Sequence, residues 1–206
     1  VPPLMRVAIV RVSDDAYRVC WSHHHLLLDG WCLTLVLTEV FTRYECLLAG
    51  RPPQLATVRP YGEYIKWLQQ RDVEACQRFW RETLRGFDAP SQLPATVGPT
   101  VSEGHSQPDA TTDLRLSTSL TDALRSLAAR HRLTLSTLIQ GAWAILVSRY
   151  TGNLDVVFGT TVSGRPPEVP GIETMLGVFI NTVPVRVHVD GASCAAWLTD
   201  LQARHV

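Results

Sequence analysis

Trp21-Ser22-His23-His24-His25-Leu26-Leu27-Leu28-Asp29-Gly30-Trp31 is the stretch from which the rest of the chain is read. Three adjacent histidines, a three-leucine spacer and an Asp-Gly pair are not explained by packing needs alone. Imidazole titrates near neutral pH without help, which makes it the usual proton acceptor in catalysis. Asp29 follows close enough to His25 to fold back and stiffen a turn. Gly30 is expected to give the backbone a conformation that a Cβ forbids. Immediately upstream, Met5 to Val12 and Tyr17 to His23 alternate as two strands joined around Ser13-Asp14-Asp15. If the second strand runs on into the motif, His24 and His25 point to opposite faces. One is then free to be buried and structural while the other reaches an open channel.

Downstream of Trp31 the period changes. Leu33, Val36, Leu37, Val40, Phe41, Tyr44, Leu47 and Leu48 make a helical stripe, read as core packing and closed by Gly50 and Pro52-Pro53. A second helical region carries Tyr61, Tyr64, Ile65, Leu68, Phe79, Trp80 and Leu84, whose aromatics are read as core. Phe87 to Thr112 is rich in Pro, Gly, Ser and Thr and reads as a connector, with His105 a solvated loop residue. A short strand, Asp113 to Leu116, should lead into a helix over about Leu120 to His131, with Ser119 and Asp122 as a capping box. Another helix runs from Leu135 to Val147 and closes at Gly152. Strands are expected over Asp155 to Val162 and Asn181 to Val189, and a last helix from Cys194. Helices over a sheet assembled from separated strands give an α/β or α+β class.

Composition removes several functions. Nineteen basic residues balance nineteen acidic ones, so no charge excess suggests nucleic acid. No apolar run is long enough to span a bilayer, and no secretory signal opens the chain; a cytoplasmic protein is expected. Cys20, Cys32, Cys46, Cys76 and Cys194 are odd in number and contain no Cys-x-x-Cys pair. They read as reduced core or surface thiols, not as a disulfide or zinc framework. His23, His24 and His25 do not suit a metal, since adjacent residues rarely aim at one ion.

The string His24 to Gly30 reads His-His-x-x-x-Asp-Gly, and it resembles the active-site motif of nonribosomal peptide synthetase condensation domains. These are chloramphenicol-acetyltransferase-like acyltransferases. Tyr61-Gly62-Glu63-Tyr64 through Phe79-Trp80 is similar to the family segment that follows. Tyr150-Thr151-Gly152 through Gly164-Arg165-Pro166, and Met175-Leu176-Gly177-Val178-Phe179-Ile180-Asn181-Thr182-Val183-Pro184-Val185-Arg186, are similar to two later family motifs, in the family order. Pro184-Val185-Arg186 and the histidine string most resemble the subtype that joins an L-configured donor to an L-amino acid.

The resemblance implies a two-lobe sandwich. Residues 1–86 would end the N-terminal lobe, 87–112 connect the lobes, and 113–206 form part of the C-terminal lobe. Both ends look cut, so the chain reads as an internal piece that is inactive by itself. The implied reaction is amide formation between a donor peptidyl or aminoacyl thioester and an acceptor aminoacyl thioester. His25 is the catalytic candidate, as a base or as a group that positions the amine; Gly30 is either an oxyanion donor or a turn glycine. His24 is structural. Asp29 either pairs with Arg165, fixing the loop, or caps the helix beginning near Trp31. No cofactor is bound directly, because phosphopantetheine arrives on upstream and downstream peptidyl carrier proteins. An adenylation domain is expected as neighbour. The alternatives are a coenzyme A-dependent acyltransferase and a non-catalytic recruiting module of the same fold.

Overall fold

The hairpin ahead of the histidines forms as the alternation predicts. In the computed structural model, which describes residues 3–88, 113–191 and 193–204, β1 (Met5–Ser13) pairs antiparallel with β2 (Ala16–His23). Met5 lies opposite His23 and Val7 opposite Trp21, with an irregularity between Arg11 and Ser13 at the turn. β2 ends at His23, so strand parity does not extend to His24 and His25. Backbone turns, not opposite sheet faces, separate those two side chains.

α1 (Gly30–Leu48) follows at once, and its apolar stripe departs from expectation. Only Cys32 and Cys46 are buried along it, while Phe41 is 61% exposed and Leu48 73%. A stripe of helical period therefore marks an amphipathic helix here, but not a core face among the described residues. The second helical region is two helices, α2 (Gly62–Gln69) and α3 (Val73–Thr83). Tyr64 is buried as read, whereas Phe79 is exposed, as are Trp31 and Trp143.

The chain forms two compact units, each discontinuous: Val1–Cys76 with Thr161–Val183, and Gln77–Thr160 with Pro184–Val206. In the first, Tyr64 of α2 packs with Val169, Ile172, Met175 and Phe179, flanked by Tyr61 and Trp67. A single 3-10 turn, Ile172–Thr174, sits within that loop. In the second, the core gathers residues of α4 (Thr118–His131), α5 (Leu135–Thr151), β3 (Asp155–Val162), β4 (Asn181–His188) and α6 (Cys194–Ala203). β3 and β4 pair with each other. The described elements are an α/β mixture, as the element pattern predicts, with β-branched residues in the strands and small residues where helices meet. Gly141 of α5 is one such position, since a Cβ there would strike Leu198 of α6.

Caps explain most boundaries. Asp29, Ser117 and Thr134 each accept a backbone N–H from the first turn of α1, α4 and α5. The α4 cap is Ser117, two residues before the expected Ser119, and 113–116 forms no strand. Gly152 ends α5 in the left-handed region at φ 72°, as its position suggested. Arg132 ends α4 at φ 55°, a conformation unusual for a side-chain-bearing residue. Gln202 of α6 holds it, donating to Arg132 O at 2.9 Å and accepting from Thr134 N–H at 2.8 Å. Most of the expected connector, 89–112 with His105, lies outside the described residues.

Gly164, just before the Arg165 of the motif, has φ 63°, and a Cβ built on it would fall on Phe179 O. Neither a backbone carbonyl nor the left-handed conformation yields cheaply. Gly164→Ala should therefore destabilise the first unit by roughly 2–4 kcal/mol. A denaturant midpoint equal to the parent's would contradict this.

Candidate active site

The loop 24–29 is built by its own polar atoms. His24 N–H donates to Leu4 O at 2.8 Å, tying the loop to the start of β1. The His24 ring then turns back: its Nδ1 accepts Leu26 N–H at 3.0 Å. Leu27 N–H closes a turn on His24 O at 3.0 Å. His24 thus shapes the loop, with its proton assigned to Nε2 by the bond at Nδ1. His25 sits on that turn, exposed, and its ring has no hydrogen-bond partner among the described residues. His23 is half-buried with its ring 5.0 Å from that of Trp21. The three histidines are therefore in three environments, and no set of ligating side chains suited to a metal occurs among the described residues.

Asp29 is the opposite of His25, with its side chain 3% exposed. Burying an ionised carboxylate is costly unless its lone pairs are used. They are used here: Oδ1 accepts Cys32 N–H at 3.1 Å and Oδ2 accepts Phe179 N–H at 3.1 Å. Arg165 Nη2 stands 3.5 Å from Oδ1, with its own side chain also 3% exposed. Asp29 thus caps α1 and pairs with Arg165 at the same time. Burial alone would raise its pKa; hydrogen bonding from Cys32 and Phe179, with the Arg165 charge, outweighs that and holds the carboxyl below its ordinary 3.8.

Arg165 is held as tightly. Its Nη1 donates to Ile172 O and, at 3.1 Å, to Met175 O. Its guanidinium lies 3.9 Å from the Phe179 ring centroid and 5.4 Å from that of Trp31. Nε is left without a partner among the described residues, and the aromatic faces offset part of that cost. Trp31 donates its indole N–H to Glu173 O at 2.9 Å.

Gly30 corrects an expectation. It starts α1 without a positive φ, and a Cβ there would meet nothing within 4 Å. No turn geometry demands a glycine. Its N–H, at the first helical position, is one of the donors that a helix leaves unpaired. Cys32, read as a reduced core or surface thiol, and Tyr61, read as core, both touch this assembly. Cys32 Sγ accepts Gly177 N–H at 3.3 Å, and the Tyr61 hydroxyl donates to Val178 O at 2.6 Å. Their sequence signal was position only: Cys32 is the second residue after the motif, and Tyr61 opens the next family segment.

Asp29→Ala should strand the buried Arg165 charge and cost roughly 3–5 kcal/mol. The pH dependence has a definite sign. Because the folded-state pKa is depressed, the contribution of Asp29 is complete above its ordinary 3.8 and is lost as pH falls through the folded value. Thermal melts taken from about pH 6 to about pH 2 should show Asp29→Asn less steeply acid-sensitive than the parent; parallel curves would refute the assignment.

Comparison with known proteins places these features. The family model for the condensation domain matches residues 2–206. Bacitracin synthase 3 of Bacillus licheniformis is 45% identical over 187 residues, covering 91% of this chain and 3% of that protein. The first condensation domain of the CDA synthetase superposes with a TM-score of 0.74 at 21% identity, over 99% of this chain and 45% of that one. The X-domain from teicoplanin biosynthesis, also solved in complex with OxyB, superposes at 0.76 with 24% identity, over 98% of this chain and 48% of its own. The chain spans about half the length of those structures and a few per cent of the synthase. With the fold shared and the family model matched along nearly its whole length, the chain belongs to the condensation domain family.

Proposed function

We propose that this chain carries the reactive loop of a domain that forms peptide bonds between carrier-bound thioesters in nonribosomal peptide biosynthesis. The observation that carries the reading is the contrast at the motif. His25 is exposed and its ring is unpartnered among the described residues, while Asp29, four residues on, is buried and fully engaged. A group meant to meet substrate must be accessible, and the group that shapes its loop need not be.

The acceptor amine, held on one carrier's phosphopantetheine arm, attacks the donor thioester carbonyl. The nitrogen–carbon bond forms as the carbonyl π electrons move to oxygen. The amine proton is taken up by His25 Nε2 or Nδ1, or is held by the imidazole while the amine is positioned. Collapse breaks the carbon–sulfur bond, and the departing thiolate receives a proton, so the products are an amide and a free thiol. Gly30 N–H, at the positive end of α1, is suited to the oxygen that becomes anionic. His24, Asp29 and Arg165 hold the loop.

The arms arrive on upstream and downstream peptidyl carrier proteins, with an adenylation domain beside them in a cytoplasmic synthetase; the chain binds no cofactor of its own. No described helix is long and apolar enough to cross a membrane. The boundaries 1–86, 87–112 and 113–206 remain our reading of the lobes. The L-donor, L-acceptor subtype rests on the histidine string and Pro184-Val185-Arg186. Arg186 itself is spent on Asp155, with Nη2 to Oδ2 at 2.7 Å, so it supports the sheet instead of reading a substrate.

A recruiting module of the same fold without chemistry is the second reading; the X-domain, on which the chain also superposes, was solved in complex with OxyB. His25→Ala separates them. In a condensation domain of the length seen in the matched structures, it should lower single-turnover dipeptide formation from loaded carriers by about 10²–10⁴-fold. An unchanged rate, or no turnover in the parent, would end the catalytic role.

A further inference from the structure

The segment Ile172 to Phe179 runs past the first turn of α1 and is fastened there by side chains from three separate parts of the first unit. Asp29 takes Phe179 N–H, and Arg165 takes the carbonyls of Ile172 and Met175. Cys32, fully buried, grips Gly177 from both sides: its thiol donates to Gly177 O at 3.1 Å and accepts Gly177 N–H at 3.3 Å. Arg165 Nη2 also reaches the sulfur at 3.4 Å. Tyr61 takes the carbonyl between these points, donating its hydroxyl to Val178 O at 2.6 Å.

The Tyr61 ring also sets how near the segment can come. It meets Phe179 edge to face at 5.0 Å, and a Cβ on Gly177 would strike it. Burial raises the Tyr61 pKa above 10.0, so the hydroxyl remains a donor across the neutral range. Neither Tyr61 nor Cys32 is a member of the His-His-x-x-x-Asp-Gly string. Both act on the two residues beside Phe179, whose N–H is one of the bonds that orient the Asp29 carboxylate.

We propose that Tyr61 and Cys32 are positioning residues of the reactive loop. By fixing Gly177 and Val178 they place Phe179 N–H, through it Asp29, and through Asp29 the turn that carries His25. The inference rests on the reading of His25 as the reactive group only for its effect on rate; the placement of the ring is a separate observable.

The test uses a condensation domain of full family length and three variants: Tyr61→Phe, which keeps the ring; Cys32→Ala; and Cys32→Ser, which keeps a donor and an acceptor. The readouts are the His25 ring resonance in a carbon–proton spectrum and the single-turnover rate with loaded carriers. Tyr61→Phe and Cys32→Ala should each shift the His25 resonance and lower the rate about tenfold, the scale of one lost hydrogen bond. Cys32→Ser should return both readouts toward the parent. If Cys32→Ala fails to fold, Tyr61→Phe and Cys32→Ser decide by the same two readouts. A His25 resonance at the parent's position in Tyr61→Phe overturns the inference, whatever the rate does. So does a Cys32→Ser variant as impaired as Cys32→Ala. If instead His25→Ala proves as fast as the parent, the functional reading fails, and positioning is judged by the resonance alone.

Discussion

The buried pair of Asp29 and Arg165 is the constraint on which the first unit turns. Two charges withdrawn from water to 3% exposure are tolerable only when their remaining valences are met. Meeting them draws in the α1 terminus through Cys32 N–H, the loop end through Phe179 N–H, and two further loop carbonyls through the guanidinium. Sequence segments more than a hundred residues apart are brought into one polar cluster. The aromatic packing of Tyr61, Tyr64 and Phe179 surrounds it, keeping the local dielectric low and the pairing strong.

Local rules carried far along this chain. Alternation located both strands of the hairpin, and periodicity with turn residues located α5 and its Gly152 terminus, because these depend on neighbours in sequence. Where outcomes depended on tertiary context, the pattern alone was insufficient. The α1 stripe has the period of a packed helix, yet Tyr44 is 58% exposed among the described residues. The distinction between His24 and His25 arises from a turn and a ring nitrogen bonded to Leu26 N–H, not from strand parity. Cys32 and Tyr61 could not be weighted from sequence, since their partners lie 145 and 117 residues away.

Fold and chemistry remain separate levels in this family. Condensation domains and an X-domain superpose on the same chain with similar scores, so the scaffold does not by itself decide the chemistry. Here the hydrogen bonds that shape the loop come from His24, Leu26 and Leu27 and do not use the His25 ring.

Arg186, in the second unit, has a mechanical consequence. Its fork grips Asp155, with Nη2 to Oδ2 at 2.7 Å, while Nη1 takes Thr83 O at 3.0 Å and Arg85 O at 2.8 Å. One side chain on β4 therefore clamps the last turn of α3 to the head of β3. Tension entering the chain at residue 88 would meet the bond at Arg85 O first and that at Thr83 O next, before it reached the turns of α3 behind them. The load taken by Arg186 would pass to Asp155 and β4, so α3 lies behind a fastening that must yield before the helix is pulled.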